Sequence, residues 1–200
     1  MGISTPLEFA NKSESSVRSN FHKPGIQTWM ELNGIPCIDT SEIVQNQTIC
    51  TSRSFGEMVS DLPSLKASVA SFASSCANRL RGQNAGARSV TVLICSNRFR
   101  DDLSQYENSA IYTFVTPTSD TIEITNAALR LLEQIYHPGI MYKKLGVIVG
   151  DIVSMSMLQM NLFDPIPNRK ERSDLMKAID EINHWYGLKT VKLMAEGDKE

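Results

Sequence analysis

The chain has 200 residues, of which 42% are hydrophobic and 21% charged, and its formal net charge is -2 at pH 7. This composition excludes a collagen-like or largely disordered protein and is typical of one globular domain with extensions. The small negative charge argues against a globally basic nucleic-acid binder. The longest apolar runs are far shorter than the roughly 20 residues of a membrane-spanning helix, so we expect no membrane insertion.

Two features of the sequence indicate a cytoplasmic protein. Met1 to Ser4 contain no basic residue and no apolar stretch follows them, so nothing here resembles an export signal. The four cysteines are scattered without a C-x-x-C pair and the three histidines are isolated. This pattern predicts reduced thiols and no zinc site.

The first 47 residues are too few and too polar to bury a core. A polar lead, Met1 to Asn20, precedes a short predicted helix around Ile26 to Leu32, and Gly34 is placed to terminate that helix. The polar stretch Asp39 to Gln47 is typical of a linker. We therefore expect a small helical segment over residues 1–38 and a linker over 39–47.

From Thr48 the apolar pattern predicts six elements in the order β-α-β-β-α-β. The first strand, Ile49 to Phe55, is ended by Gly56, and the helix after it is capped by Asp61 and carries one apolar face. The other predicted elements are strands Arg88 to Ser96 and Ser109 to Thr116, a helix from Ile122 to Tyr136, and a strand from Tyr142 to Ser154. This order closes into a four-stranded sheet with both helices on one face, an α+β domain over residues 48–157.

The other face of the predicted sheet is left without a covering helix. Hydroxyl and cationic side chains on such a face are suited to sugar-phosphate backbone, which they position and neutralise without reading sequence. A reader of single-stranded RNA would instead carry aromatic residues on its central strands, and the second strand has none. The residues that we place on or beside this face are Ser52, Arg53, Ser54, Arg88, Ser89, Thr91, Lys143 and Lys144.

Positive charge is concentrated in one stretch of the chain. Five arginines and no acidic residue lie between Arg79 and Arg100. The pattern is compatible with a local basic surface, but by charge alone it favours a solvated helix end and hairpin.

A short peptide follows the last strand and precedes the breaker run Asp164 to Pro167. It consists of Gln159, Met160, Asn161, Leu162 and Phe163. A leading amide and two closing apolar side chains suit a peptide that a partner holds in an apolar pocket. The residues alone favour a simpler alternative, in which Leu162 and Phe163 pack onto their own domain as a C-terminal staple.

After the breaker, residues 169–200 form a predicted C-terminal extension. Ser173 is placed to cap a helix whose apolar stripe is Leu175, Met176, Ile179 and Ile182, and Gly187 ends it. Lys189 to Met194 then predicts a small strand.

Several stretches resemble Y-family translesion DNA polymerases, and most closely their UmuC-type members. Ser52 to Glu57 and Tyr142 to Val147 are similar to the opening and closing strands of the little-finger domain. Asn33 to Cys37 and Ile3 to Lys23 resemble parts of the thumb, and Leu175 to Gly197 resembles the C-terminal extension. The resemblance covers nearly the whole chain.

The peptide 159–163 resembles the Gln-Leu-x-Leu-Phe motif by which bacterial polymerases hold the β sliding clamp. Met160 replaces the usual Leu, an exchange that keeps volume and apolarity. The resemblance therefore reverses the preference for the staple and implies a clamp-binding peptide within residues 158–168.

The resemblance implies the C-terminal region of an error-prone translesion polymerase of SOS DNA repair, located at the bacterial nucleoid. Its little finger would grip both backbones of damaged primer-template DNA. The implied protein partners are the β sliding clamp, the UmuD accessory dimer and the RecA filament. The grip is carried over to Ser52, Arg53, Ser54, Arg88, Lys143 and Lys144.

Nucleotidyl transfer in such polymerases uses two Mg²⁺ ions held by carboxylates of the palm, which precedes the thumb. The adjacent pair Asp101-Asp102 lies in a predicted hairpin loop, and consecutive residues of an extended chain point opposite ways. We therefore expect no catalytic residue, metal site or cofactor in this chain. Two alternatives remain, a free-standing βαββαβ module that binds a ligand or regulates an enzyme, and a structural interaction domain.

Overall fold

The computed structural model of the chain describes residues 2–37, 47–157, 164 and 166–197. Within it the chain divides into two compact units, Met1–Gln45 and Asn46–Glu200. None of the helices in these described ranges combines the length and apolarity needed to cross a membrane.

The first unit contains three short helices, α1 Pro6–Ala10, α2 Glu14–Asn20 and α3 Lys23–Leu32. The side chains of Thr5 and Ser13 accept hydrogen bonds from the first turns of α1 and α2, as N-caps do. Trp29 Nε1 of α3 lies 3.1 Å from the Ala10 and Lys12 carbonyl oxygens, which ties α3 to the end of α1. The pattern alone predicted only α3, because α1 has five residues and α2 has seven, mostly polar ones, so that neither shows an apolar period.

The second unit is the predicted α+β domain. Its elements are β1 Thr48–Val59, α4 Leu62–Gly82, β2 Ala85–Ser96, β3 Glu107–Thr118, α5 Thr121–Ile135, β4 Tyr142–Ser154 and α6 Arg169–Tyr186, with short 3₁₀ turns at Met155–Met157 and Met194–Glu196. The sheet has the order β1-β4-β2-β3, and every neighbouring pair is antiparallel. The predicted fold class is confirmed.

The core lies between the sheet and the two helices α4 and α5. The predicted helix stripes are confirmed, since Leu65, Val69 and Leu80 of α4 and Leu132 of α5 are fully buried. One side of β2 and β4 meets them with Val90, Val92, Ile94, Leu145, Val147 and Val149, which have no exposed surface. Removing this continuous apolar area from water is the main force that holds the domain together.

Strand β1 does not end at Gly56 as its sequence predicted, because a bulge carries it on to Val59. The register with β4 shifts between Ser54 and Val59. Lys143 Nζ of β4 donates to the carbonyl oxygens of Phe55, at 2.5 Å, and Gly56, at 3.1 Å. A charged donor thus satisfies two carbonyls that the irregular pairing leaves without a ladder partner.

The C-terminal extension packs against α4 and the N-terminal end of α5. Arg81 of α4 forms a bidentate pair with Asp180 of α6, at 2.6 and 2.8 Å, and Met176 of α6 is 2% exposed. Arg172 of α6 holds Asp120, the N-cap of α5, at 2.6 and 3.0 Å. Bidentate pairs of this kind fix orientation as well as distance.

The small strand predicted at Lys189–Met194 is wrong. Residues 187–193 are a turn, in which Gly187 and Lys189 have φ values of 109° and 69°. The side chain of Asn183 binds both backbone groups of Val191, at 2.8 and 3.0 Å. The segment therefore folds back on α6, where its backbone is satisfied without a neighbouring strand.

Acid should weaken this packing, because the pKa values of Asp120 and Asp180 lie below their usual range. Burial raises each pKa, but hydrogen bonds from Arg172 to Asp120, and from Arg81 and Asn78 to Asp180, lower it further than burial raises it. A depressed folded pKa gives stability that is present above about pH 4 and is lost as pH falls through the folded value. Urea unfolding followed from about pH 5 to about pH 2 should show this loss.

The matched variants are Asp120→Asn and Asp174→Asn. Asparagine still caps a helix, so Asp120→Asn removes mainly the charge facing Arg172 and should cost about 1–2 kcal/mol at neutral pH. Its acid dependence should also be shallower than that of the parent chain. Asp174 is exposed and 3.7 Å from Lys177, and its change should stay within about 0.5 kcal/mol. Parallel acid profiles for Asp120→Asn and the parent would contradict this account.

The bulge predicts different consequences for two neighbouring lysines. Lys143→Met should lower the free energy of unfolding by about 1–3 kcal/mol, because the Phe55 and Gly56 carbonyls lose a charged donor. Lys144 is exposed, so Lys144→Met should change stability by no more than about 0.5 kcal/mol. Urea midpoints compared between the two variants measure the difference, and equal midpoints would mean that Lys143 does not hold the bulge.

Candidate nucleic-acid interface

The pairing register fixes which side chains share the uncovered face of the sheet, since residues directly opposite each other in a sheet point the same way. Four rows cross the sheet on the side opposite the core, in the strand order β1, β4, β2, β3. They are Thr48-Gly150-Ser89-Thr113, Cys50-Ile148-Thr91-Ile111, Ser52-Gly146-Leu93-Ser109 and Ser54-Lys144-Cys95-Glu107. We call this surface the open face and number the rows one to four in that order.

The open face is rich in hydroxyl groups and nearly neutral. Each row contains at least one Ser or Thr, and apolar side chains occupy its centre, where Ile111 is 64% exposed. Its charged side chains are Lys144 and Glu107, both in row four. At the other end the Asp151 carboxylate accepts a hydrogen bond from the Ser89 hydroxyl of row one at 3.2 Å. The surface can therefore offer many neutral hydrogen-bonding groups to a ligand but little net attraction for an anion.

Two glycines of β4 leave room above this strand for side chains of the neighbouring strands β1 and β2. A Cβ at Gly146 would lie 2.8 Å from the Ser52 Cβ and 3.2 Å from the Leu93 Cγ. A Cβ at Gly150 would lie 2.9 Å from the Ser89 Oγ. Side chains from β1 and β2 thus occupy the space above β4, and a larger residue at either position would push them apart.

Three of the six predicted DNA-binding residues share the open face. Ser52 and Ser54 of β1 lie two residues apart on it, and Ser54 is paired directly with Lys144 of β4. Lys144 is exposed. The structure thus brings a cation and two hydroxyls together at the row-four end of the sheet.

The other three predicted residues lie elsewhere. Arg53 is paired with Leu145, which is fully buried on the core side, so Arg53 projects to that side at the edge of the sheet, where it is exposed. Lys143 is engaged by the β1 bulge. Arg88 is exposed just before row one, next to Ser89, whose hydroxyl donates to the Asp151 carboxylate.

The stretch of five arginines does not form one basic surface. Arg81 is bound to Asp180, and Arg79 Nη1 donates to the Cys50 carbonyl oxygen at 3.2 Å. Arg98 and Arg100 pair with Glu107 and Asp102 in and beside the loop between β2 and β3. Of the two readings of this stretch, the solvated helix end and hairpin describes it better.

The loop aspartates are not arranged as a metal site. Asp102 accepts two hydrogen bonds from Arg100, at 2.6 and 2.7 Å, and the bond from Arg100 lowers the pKa of Asp102. Across residues 2–37, 47–157, 164 and 166–197 no group of three or more His, Cys, Asp or Glu side chains is close enough to hold a metal ion.

Sequence reasoning missed the contribution of β3. Ser109, Ile111 and Thr113 lie on the open face and alternate with residues of the core side. The alternation of exposed hydroxyl and apolar residues was a usable signal, but without the register it did not say which set faces outward. The predicted clamp-binding residues Gln159 to Phe163 lie outside the described residues.

Comparison with known proteins gives consistent matches. Residues 46–162 match the model of the impB/mucB/samB family C-terminal domain. The chain is 35% identical over 198 residues to UmuC of Salmonella typhimurium, which covers 98% of this chain and 47% of UmuC. It is 35% identical over 185 residues to ImpB of the same organism, with 92% and 43% covered, and 32% identical over 184 residues to MucB of Escherichia coli, with 92% and 43% covered.

The chain spans a little under half the length of these relatives. The family match begins just before β1 and ends beyond β4, so it contains the whole sheet and both core helices. The resemblance to the C-terminal part of a UmuC-like Y-family polymerase is thereby confirmed. This chain belongs to the impB/mucB/samB family, and its second unit contains the C-terminal domain of that family.

Proposed function

We propose that this chain is the DNA-gripping and clamp-tethering region of an error-prone translesion DNA polymerase of the SOS response. The observation that carries the proposal is the open face, whose four rows all bear hydroxyl groups and which α4, α5 and α6 leave uncovered. Family membership supplies the polymerase context. Hydroxyls, backbone groups and a few cations are the groups that proteins use to hold phosphates without reading bases.

The length of the open face suits contact with two backbones at once. Successive rows are two residues apart, so rows one and four are separated by about 20 Å along the strands. The major groove of B-DNA is about 12 Å wide. Arg88 beside row one and Lys144 in row four can therefore each reach a phosphate on opposite sides of a groove, with the hydroxyl groups between them.

The near-neutral face makes the proposed grip modest. Each cation that neutralises a phosphate releases one condensed counterion, which is the main source of non-specific affinity for DNA. With Arg88 and Lys144 as the cations at the two ends of the face, this term is small. The contacts are thus suited to a protein that slides along DNA and does not stay at one sequence.

The peptide 159–163 supplies the proposed tether to the β sliding clamp. Leu162 and Phe163 would each gain about 1.5–3 kcal/mol in an apolar pocket, and Gln159 would fix the register of the peptide by hydrogen bonds. After the cost of ordering the peptide, binding at about the micromolar level is expected. The support for this step is the sequence motif itself.

The remaining parts of the proposal concern the whole polymerase. They are nucleotidyl transfer with Mg²⁺ on damaged primer-template DNA, assembly with a UmuD dimer and a RecA filament, and location at the bacterial nucleoid. The residues of this chain would contribute to them by holding the DNA and the clamp.

Binding of this chain to primer-template DNA should weaken with salt and show little sequence preference. Two phosphate contacts give an expected slope of about -2 for the logarithm of affinity against the logarithm of salt concentration. Lys144→Ala or Arg88→Ala should each reduce that slope by about one. Fluorescence anisotropy with labelled duplexes over a range of KCl concentrations measures both quantities.

The control for this series is Lys177→Ala, because Lys177 is an exposed cation on α6 that belongs to none of the four rows. It should leave affinity and slope unchanged. Strong discrimination between duplex sequences at high salt would contradict a grip on the backbone.

Replacing Leu162 and Phe163 together by Ala should abolish capture of this chain by purified β sliding clamp. Thermal unfolding should stay nearly unchanged, since the proposed pocket belongs to the clamp and not to this domain. A pull-down and a melting curve on the same protein measure the two effects. Leu188→Ala, at a 90% exposed apolar position, is the control and should retain capture; a large loss of stability in the double variant would support the staple instead.

A further inference from the structure

The connection between β2 and β3 borders an open groove at the row-four end of the open face. The groove has a volume of about 790 Å³, within the range of sites that hold small molecules. Its lining includes Ser54, Lys144, Cys95, Asn97, Phe99 and Ser109. It is therefore continuous with the open face through row four.

The connection is held in place by its own hydrogen bonds. Gln105 Nε2 donates to the carbonyl oxygens of Asn97, Arg100 and Leu103, at 3.1, 2.8 and 3.3 Å. Tyr106 OH donates to the Ile135 carbonyl oxygen at 2.7 Å and so anchors the returning strand to α5. The groove is therefore formed before any ligand arrives.

Phe99 stands at the rim of this groove with its ring in water. Its side chain is 95% exposed, although its backbone nitrogen is fixed by a hydrogen bond to the Asn97 Oδ1 at 3.1 Å. An exposed phenyl ring on an ordered turn contributes nothing to the core, and transferring it from water onto an apolar surface is favourable. The ring is thus available for a flat apolar partner.

The polar side of the groove suits a phosphate. Lys144 lines it, and no acidic partner of Lys144 occurs in the described part of the chain. Arg98 and Glu107 also line the groove and pair with each other, but their side chains are 68% and 62% exposed. Such an exposed pair is weak, so Arg98 can turn to an incoming phosphate.

We propose that Phe99 and this groove hold an unpaired nucleotide of single-stranded DNA. The base stacks on the Phe99 ring and the phosphate lies near Lys144. A base inside a duplex is already stacked on both sides, whereas an unpaired base offers a free face to an aromatic ring. The inference rests on the proposed DNA-binding function. It adds that the end of the bound duplex lies beside Phe99.

The position of Phe99 supports a junction in preference to a uniform single strand. None of the open-face rows contains an aromatic residue, so the face itself has no platform for a run of bases. The aromatic ring stands only at its end, beyond row four. A duplex on the open face would thus bring its first unpaired nucleotide to Phe99.

The test uses fluorescence anisotropy to measure the affinity of the intact chain for three DNA probes. They are a blunt duplex, the same duplex with a single-stranded overhang, and an oligo-dT of about twelve nucleotides. The parent chain should bind the overhang probe more tightly than the blunt duplex. Phe99→Ala should weaken binding to the overhang probe and to oligo-dT by about 5- to 100-fold and leave the blunt duplex unaffected.

Two further variants show whether stacking is the cause. Phe99→Trp should retain the preference for the overhang, because the indole ring also stacks. Trp185→Ala removes an 80% exposed aromatic residue from α6, which does not line the groove, and should change nothing. Melting curves of all variants should coincide with that of the parent, since both positions lie outside the core.

The outcomes separate this inference from the proposed function. If the parent chain binds none of the probes, both are overturned. If it binds the blunt duplex but Phe99→Ala weakens all probes equally, or none of them, the open face grips DNA and only the nucleotide site is overturned.

Discussion

Strand β4 is the constraint on which the rest of the domain depends. It lies between β1 and β2, and its side chains alternate between Leu145, Val147 and Val149 toward the helices and Lys144, Gly146, Ile148 and Gly150 toward the open face. A slip of one residue in its register would bury Lys144 and expose the valines. The same pairing therefore fixes the core and composes the open face.

Charged side chains in this domain are used mainly to fasten the structure. Lys143 holds the β1 bulge, Arg81 and Arg172 bind α6 to α4 and α5, and Arg169 of α6 pairs with Glu123 and Asp164. The side chains of Arg169 and its two partners are less than a fifth exposed. Breaking one of these pairs would leave a partly buried charge without its hydrogen bonds, which costs free energy. The pairs therefore hold α6 in one orientation.

The fold was predictable from the sequence because apolar periodicity reports burial directly. The stripe of α4 and the alternation of β2 each identified the residues that the core contains. The turn at Lys189 was not predictable in the same way, since the side chain of Asn183 replaces a strand partner there. The sequence of a short apolar run does not show which groups form hydrogen bonds with its backbone.

The candidate site was only half predictable, for a reason that also concerns hydrogen-bond partners. Ser52, Ser54 and Lys144 alternate onto the open face, whereas Arg53 and Lys143 are the cations next to them in sequence. Neighbours in a strand point to opposite faces, and a cation can be engaged by a bulge that the sequence does not show. The residue types predicted side chains that can bind phosphate. Only the strand register showed which of these side chains lie on the same face of the sheet.

A nearly neutral grip and a separate tether are physically consistent with each other. A face with one cation of its own, Lys144, and Arg88 beside its first row is expected to bind DNA weakly at physiological salt. A clamp-binding peptide of the proposed kind is expected to bind at about the micromolar level. When both belong to one chain and the clamp encircles the same DNA, the second contact forms at a high effective concentration. The combined affinity of the two contacts can then exceed the affinity of either one by about a hundredfold or more, without a new contact. Each contact remains weak enough to break alone, so a polymerase built in this way would hold its template firmly and still leave it when the tether is exchanged.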